Sequence, residues 1–191
     1  MEQFESKVPD PAEGERKVIH RVIAGAKNDF RELVLAHHEQ IFAMIMRQVA
    51  DRSAASDLTQ EVFLRAYLHL PKFRFECKFS TWLTRIALNV TNTYFCSKAY
   101  KQFVATSELD SKLQQALHEI ADTDCYDEGA IERLRRTVSR LKPVYRDVVV
   151  LCAFEHRPYE EAAQTLGVPV GTVRSRLNKA RKLLRKLYFE E

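Results

Sequence analysis

A chain of 191 residues with a hydrophobic content of 46% can form one domain or two small ones, and its five glycines disfavour a turn-rich all-β fold. The net charge of +4 conceals an asymmetry, because residues 133–188 carry 14 Lys and Arg against 4 Asp and Glu. A basic C-terminal part beside a mildly acidic remainder indicates that the C-terminal part meets a polyanion.

The four cysteines are widely spaced and contain no C-x-x-C pair, so we expect neither a disulfide framework nor a zinc site. The acidic, polar N-terminus does not resemble a signal peptide, and the apolar runs are too short to span a bilayer. The sequence therefore predicts a cytoplasmic protein without direct membrane insertion.

The N-terminal half reads as a series of helices. Residues 1–17 are rich in proline and charge and are predicted to be a loose tail. Apolar residues at helical spacing begin at Val18, and after a break at Gly25 and Asn28 a second helix follows from Phe30.

A third helix is predicted from Ser56, which is a plausible N-cap, to the residue before Pro71. Asp57, Gln60 and Glu61 have i, i+3 and i+4 spacing and form a compact acidic corner on it. By itself, such a corner is most often solvated helix surface.

An aromatic and cationic segment precedes the next helix, which is predicted to start near Ser80. This interleaving suits single-stranded nucleic acid, because bases stack on rings and phosphates pair with cations. Phe73 and Phe79 can equally be loop anchors, and Trp82 fits a core position. The residues of this segment are Phe73, Arg74, Phe75, Lys78 and Phe79.

Residues 97–130 are predicted to be a flexible linker, because helical periodicity weakens after Ser97 and acid accumulates from Glu108. A short helix around Leu113 to Ile120 is the one element expected within it. Two small helical domains, residues 18–96 and 131–188, are therefore predicted on either side, and the fold class is all-α.

The second domain ends in a helix-turn-helix pattern. A helix opened by Pro143 is expected to pack beneath it. Pro158 suits the start of the next helix, Gly167 is placed to end that helix with a positive φ, and Pro169 precedes the last one.

The last helix has an apolar stripe and a separate basic flank. Residues near the start of such a helix reach base edges, where Arg can bond guanine twice and Asn can bond adenine twice. We predict Arg174, Ser175, Asn178 and Lys179 as base readers. Arg181 and Lys182, further along, are predicted to meet phosphates. A basic stripe by itself usually indicates a solvent-exposed helix face. Here the stripe lies on the helix that follows the turn pattern, and this position favours DNA binding.

The order of these parts resembles the bacterial RNA polymerase sigma factors of the extracytoplasmic-function group, from about Val18 to Leu187. The segment Asp57–Tyr67 resembles their region 2.2. Phe73-Arg74 followed by Phe79–Asn89 resembles regions 2.3 and 2.4. Tyr159–Ala163 and Gly171–Leu177 resemble region 4.2.

The resemblance implies an alternative sigma factor that is not an enzyme and uses no cofactor or metal. It implies that Asp57, Gln60 and Glu61 dock on the β′ clamp helices of core RNA polymerase. The aromatic loop and Asn89 would hold a base flipped from the opened −10 element, and the last helix would read the −35 element. The remainder of the second domain would meet the β flap. A membrane-associated anti-sigma factor would occlude the polymerase-binding faces.

Two other classes compete with this interpretation. A stand-alone helix-turn-helix regulator would bind DNA without polymerase, but the chain has no evident dimerising heptads. A nucleic-acid enzyme is disfavoured, since the sequence has no phosphate-cradling glycine loop, paired-carboxylate metal motif or nucleophile elbow.

Overall fold

The computed structural model of the protein describes residues 11–49, 51–106 and 128–189. Over these residues the regular structure is helical, and none of their helices is long and apolar enough to cross a membrane. Two separate apolar cores are present, so the predicted all-α fold with two helical domains is confirmed for this part of the chain. The α-helices are α1 (Pro11–Ile23), α2 (Phe30–Met46), α3 (Arg52–His69), α4 (Phe79–Thr106), α5 (Glu128–Ser139), α6 (Pro143–Val149), α7 (Tyr159–Leu166) and α8 (Val170–Phe189).

The first domain is formed by α1 to α4, with α3 packed against both α2 and α4. Its helices contribute apolar residues at helical spacing, and burial of these side chains is the main favourable term in its folding. Large and almost fully buried among them are Ile19, Ile41, Met44, Ile45, Val62 and Leu83.

α3 begins four residues earlier than the sequence predicted. Asp51 has an extended backbone, and its Oδ1 accepts hydrogen bonds from the N–H groups of Ser53 at 2.8 Å and Ala54 at 3.2 Å. Ser56 lies inside the helix, so its prediction as the N-cap was wrong. The physical reason is that Ser53-Ala54-Ala55 favours helix, and Asp51 satisfies the free N–H groups of the first turn.

Replacing Asp51 with alanine is expected to lower the free energy of unfolding by about 1 kcal/mol, because two N–H groups lose their acceptor. Ser56→Ala is the matched control, since Ser56 is exposed within the helix and should change stability by less than about 0.5 kcal/mol. Urea denaturation of both variants measures the difference. A larger loss for Ser56→Ala would refute the cap at Asp51.

The second domain is formed by α5 to α8 and contains the predicted helix-turn-helix. α7 ends at Leu166, and Gly167 follows with φ 64°, as the sequence predicted. The N–H of Val168 donates to the carbonyl of Ala163 at 3.1 Å, which satisfies one of the last acceptors of the helix. α6, continued by a π-helical turn over Val150–Phe154, packs under α8.

The helices extend beyond the predicted domain boundaries. α1 begins at Pro11, so part of the predicted loose tail is helical; proline is well suited to a first helical turn. α4 continues to Thr106, and α5 begins at Glu128, so both ends of the predicted linker are helical. The rest of that linker, with the short helix expected around Leu113 to Ile120, lies outside the described residues.

The two domains also contact each other, chiefly through α4 and α7. Leu88 of α4 is 3% exposed and packs into the core of the second domain. In return, Val150 of the second domain packs into the first core. One side of α4 is therefore covered by the second domain.

Candidate nucleic-acid and protein interfaces

α3 presents an acidic corner to solvent. Asp57 and Gln60 are exposed and Glu61 is partly exposed, so the three residues predicted to bind polymerase lie together on one helix face. Arg65 donates a hydrogen bond to the Glu61 carboxylate at 2.5 Å, forming an i,i+4 ion pair. An exposed pair of this kind is weak, so it leaves Glu61 able to exchange Arg65 for another cation.

Two exposed leucines extend the acidic corner along the same helix. Leu64 is 60% exposed and Leu68 is 62% exposed, and they follow Gln60 at i+4 and i+8. Apolar side chains grouped beside polar ones on a surface indicate a protein partner. Neither leucine was predicted from the sequence as part of this surface, although the spacing of both from Gln60 places them on the same helix face.

The aromatic segment divides into buried rings and exposed cations. Phe73 is 7% exposed and Phe79 only 2%, and both pack on Trp82, with ring centroids 5.1 Å and 5.6 Å away. These two phenylalanines therefore occupy the loop-anchor positions that the sequence left open as an alternative. Arg74 and Lys78 are exposed beside them, so the loop presents two positive charges next to its buried phenylalanine rings.

Phe75 occupies an unusual backbone conformation at the tip of this loop. Its φ is 58°, a left-handed value that is rare for a bulky residue and common at functional sites. Its ring stacks on His20 with centroids 4.9 Å apart, lies 5.1 Å from the Arg16 guanidinium carbon, and is 4.8 Å from the Phe73 ring. α1 thus joins the candidate −10 loop, a contribution that the sequence analysis missed.

Asn89 is exposed on α4, at the rim of the surface that the second domain covers. Its neighbours on that side are engaged: Arg85 donates to the carbonyls of Gln164 and Thr165. Asn92 donates to the carboxylate of Asp147 at 3.1 Å. The structure therefore leaves Asn89 accessible while it covers adjacent positions of the same helix.

α8 places every residue predicted to read the −35 element on an exposed flank. Its other side is buried, with Val173 and Ala180 at 0% and Leu177 at 2% exposure. The separation of the two sides follows from the helical repeat, because the apolar positions recur every three or four residues. The exposed residues are Arg174, Ser175, Asn178, Lys179, Arg181 and Lys182.

Two of the basic side chains on α8 rest on tyrosine rings. The guanidinium carbon of Arg174 lies 5.8 Å from the ring centroid of Tyr159, at the start of α7. The ammonium of Lys179 lies 5.7 Å from the ring of Tyr145 on α6. Contacts of this type are each worth about 0.5–1 kcal/mol when exposed and favour particular side-chain positions before any ligand arrives.

Two charged groups of α6 lie where α4, α6 and α8 meet: Arg146 is buried and Asp147 is partly buried. Burial raises the pKa of Asp147 to about 6, although the hydrogen bond from Asn92 and the charges of Arg146 and Arg176 act to lower it. Burial also lowers the pKa of the Arg146 guanidinium, which is 1% exposed. Folding therefore favours the protonated form of the Asp147 carboxyl over its ionised form.

The raised pKa of Asp147 predicts that stability falls as the pH rises from about 4 to about 6. In this range the folded protein holds a proton on Asp147 that the unfolded chain has released, so each increase in pH favours unfolding, by up to about 3 kcal/mol in all. Urea denaturation at a series of pH values should show this slope for the wild type. Asp147→Asn should lose less stability over this pH range than the wild type. If both proteins lost the same amount, the raised pKa would not belong to Asp147.

Comparison with known proteins places both domains in one family. The family model described as Sigma-70 region 2 matches residues 33–99, and the model described as Sigma-70, region 4 matches residues 131–184. Together these matches cover more than half of the chain, and each lies within one of the two helical domains described above.

Curated relatives match over nearly their whole length. The RNA polymerase sigma-H factor of Pseudomonas aeruginosa is 32% identical over 181 residues, covering 91% of this chain and 93% of the relative. The ECF RNA polymerase sigma factor SigW of Bacillus subtilis is 29% identical over 177 residues, covering 90% and 95%.

Solved structures share the fold. CnrH, in complex with the cytosolic domain of CnrY, matches with a TM-score of 0.63 and 23% identity, covering 92% of this chain and 97% of that one. The sigma factor RpoE of Bartonella quintana, in complex with the anti-sigma factor NepR, matches with a TM-score of 0.58 and 21% identity, covering 83% and 96%. From its two family matches and its relatives, the chain belongs to the sigma-70 family and is an RNA polymerase sigma factor of the extracytoplasmic-function type.

Proposed function

We propose that this sigma factor docks on the β′ clamp helices of core RNA polymerase through Asp57, Gln60 and Glu61. These residues form an exposed acidic corner, and the exposed leucines at 64 and 68 extend it along α3. A surface with apolar side chains beside carboxylates suits a helical partner that has an apolar stripe flanked by basic residues.

As a sigma factor, the chain is a non-enzymatic subunit that directs transcription initiation. We assign the loop from Phe73 to Phe79, together with Asn89, to the −10 element. Phe73 and Phe79 anchor the loop in the core, while the exposed Arg74 and Lys78 supply charge for the backbone of an opened strand. Flipping a base from the stack costs a few kcal/mol, which stacking and hydrogen bonding in this region would offset.

We assign α8 to the major groove of the −35 element and the remainder of the second domain to the β flap. Arg174, Ser175, Asn178 and Lys179 lie in its first half, where a recognition helix meets base edges. Arg181 and Lys182 lie one turn further and suit phosphates. The observation that carries this assignment is the exposure of all these residues on one flank, opposite a fully buried stripe.

We further propose that an anti-sigma factor holds the protein inactive. RpoE of Bartonella quintana, which shares the fold, was solved with the anti-sigma factor NepR, and CnrH with the cytosolic domain of CnrY. A partner that covers the acidic corner of α3 would prevent docking on polymerase. Association of that partner with the membrane and activity of the sigma factor in the cytoplasm are parts of this proposal.

Run-off transcription with purified core polymerase tests the function. A pool of templates with randomised promoters should yield transcripts only when both the chain and core enzyme are present. A gel shift with and without core polymerase tests the competing function, since a stand-alone helix-turn-helix regulator would bind its site tightly without the enzyme. Tight, sequence-specific binding by the chain alone, without directed initiation, would contradict the proposal.

A further inference from the structure

The first helix of the chain contacts the loop that we assign to the −10 element. That loop, Phe73 to Phe79, is called the −10 loop below. Ile19 and Val22 are buried and hold α1 in the core of the first domain. Arg16 and His20 lie on another side of α1, one helical turn apart, and both are exposed. α1 therefore offers two polar side chains beside the loop from a helix whose position is fixed by the core.

Both of these side chains reach the same aromatic ring in the −10 loop. The His20 ring stacks on the Phe75 ring, with centroids 4.9 Å apart and an angle of 24° between the two planes. The guanidinium carbon of Arg16 lies 5.1 Å from the centroid of the Phe75 ring. The buried ring of Phe73 lies 4.8 Å from it. Phe75 thus connects α1 with the buried start of its own loop.

Phe75 has a backbone conformation that a bulky residue disfavours. Its φ of 58° lies in the left-handed region, which costs free energy for any residue with a large side chain. Such a conformation persists only where the surrounding structure determines it. Since His20 and Arg16 both contact the ring of Phe75, α1 contributes to keeping this residue left-handed.

The conformation of Phe75 determines the direction in which the loop continues. The chain bends over residues 75–77, and Phe75 is the first residue of that bend. If Phe75 adopted an extended or right-handed conformation, the residues after it would turn another way. The exposed cations Arg74 and Lys78 lie on the two sides of the bend, so their separation depends on Phe75. The contacts from α1 therefore influence the part of the loop that faces an opened strand.

α1 is linked to the other end of the −10 loop as well. His37 Nε2 on α2 and the Glu15 carboxylate on α1 are 2.6 Å apart, and both residues are partly buried. The ring of His37 lies 5.4 Å from the ring of Phe79, the last residue of the loop. α1 also contacts the helical turn Leu70–Lys72, directly before the loop. The position of α1 is thus fixed relative to both ends of the loop that it supports.

We propose that α1 is a component of the −10-binding site, in which Arg16 and His20 are positioning residues that hold Phe75 and so fix the loop for the flipped base, an inference that rests on the proposed role of that loop. They act through Phe75. Their loss lowers the fraction of molecules whose loop can receive the base, and the affinity for opened DNA falls by the same factor.

Substitutions on α1 test this role without changing any residue assigned to DNA or polymerase. His20→Ala removes the stacked ring, whereas His20→Phe retains it. Arg16→Ala removes the cation beside the Phe75 ring. Lys17→Ala is the matched control, because Lys17 is an exposed cation on the same helix that pairs with Glu13 at 3.3 Å. All these positions are exposed, so the variants should fold.

Binding is measured with the holoenzyme and a fluorescent forked DNA whose unpaired −10 segment comes from a promoter that the holoenzyme transcribes. Abasic sites are placed in this segment one position at a time, and the position with the largest loss for the wild type is that of the flipped base. On the intact fork, His20→Ala should bind about threefold to tenfold more weakly and Arg16→Ala about threefold more weakly, with His20→Phe and Lys17→Ala within about twofold of the wild type. On the fork that is abasic at the flipped position, every variant should bind within about twofold of the wild type.

A double-mutant cycle shows whether His20 acts through Phe75. Phe75→Gly removes the ring and introduces a residue that adopts a positive φ without strain. In this background His20→Ala should cause no further loss of affinity for the intact fork, because the ring on which His20 stacks is absent. A further loss would show a contact of His20 with another group and would overturn its action through Phe75.

The other outcomes separate the role of α1 from the function of the loop. If the wild type bound every abasic fork as tightly as the intact one, the proposed function of the loop would fail, and the role of α1 with it. If the wild type discriminated but His20→Ala matched it on the intact fork, or lost as much on the abasic fork, only the positioning role would be overturned. Failure of His20→Phe to restore binding would overturn positioning by stacking. Polymerase affinity without DNA should be equal in all variants, and a loss confined to His20→Ala and Arg16→Ala would show a general structural role instead.

Discussion

Replacing Asp57 and Glu61 with lysine is expected to weaken binding of core RNA polymerase by at least about a hundredfold. In the proposed complex both carboxylates face cations of the clamp helices, and reversing them sets like charges together in a surface that excludes water. Truncating one partner of such a pair costs about 2–5 kcal/mol, and reversal of two adds repulsion. The fold should be retained, because Asp57 is exposed, Glu61 is partly exposed, and only the weak pair of Glu61 with Arg65 is lost.

The control for this variant must change the net charge equally at another surface. Glu13→Lys combined with Glu39→Lys does so, since both glutamates are exposed, lie on α1 and α2, and belong to no surface assigned to polymerase. Polymerase affinity is measured by fluorescence anisotropy of the labelled chain without DNA. Equal losses in the two double variants would attribute the effect to net charge, and unchanged affinity in Asp57→Lys/Glu61→Lys would refute the docking site.

The helix-turn-helix was predictable because local chemistry determines its ends. Gly167 adopts a positive φ that other residues rarely take, and Pro143 and Pro158 open helices where their missing N–H has no cost. The basic flank of α8 followed from the helical repeat alone. At these positions the short-range signal and the tertiary structure agree, so the candidate −35 residues all lie where the sequence placed them.

The contact between the domains could not be predicted in the same way. Periodicity in the sequence identifies apolar positions that will be buried. Asn92 and Arg146 are polar, and they meet only because the two domains pack together. α4 continues past Ser97 to Thr106, whereas the sequence was interpreted as losing its helical periodicity after Ser97. Phe75 was predicted to belong to the −10 loop because aromatic and cationic residues alternate around it in the sequence. Its packing on His20 could not be predicted, because that contact depends on where α1 lies.

Alanine at Arg174 or Asn178 is expected to reduce initiation about tenfold to a hundredfold at promoters with the preferred −35 element. Each side chain can form two hydrogen bonds with one base, and a bidentate contact is worth about 1–3 kcal/mol of discrimination. The loss should be specific to the base that is read, so the preference at that position should relax. Both residues are exposed on α8, and the buried stripe of the helix is untouched.

Lys182→Ala is the matched comparison, since Lys182 lies on the same flank but beyond the base-reading turns. Loss of a phosphate contact should weaken all promoters to a similar degree and reduce the salt dependence of binding by about one ion. Run-off transcription from a library with a randomised −35 element, sequenced for each variant, distinguishes the two effects. If Arg174→Ala lowered every template equally, Arg174 would be a phosphate contact, and the base-reading part of α8 would have to begin at another residue.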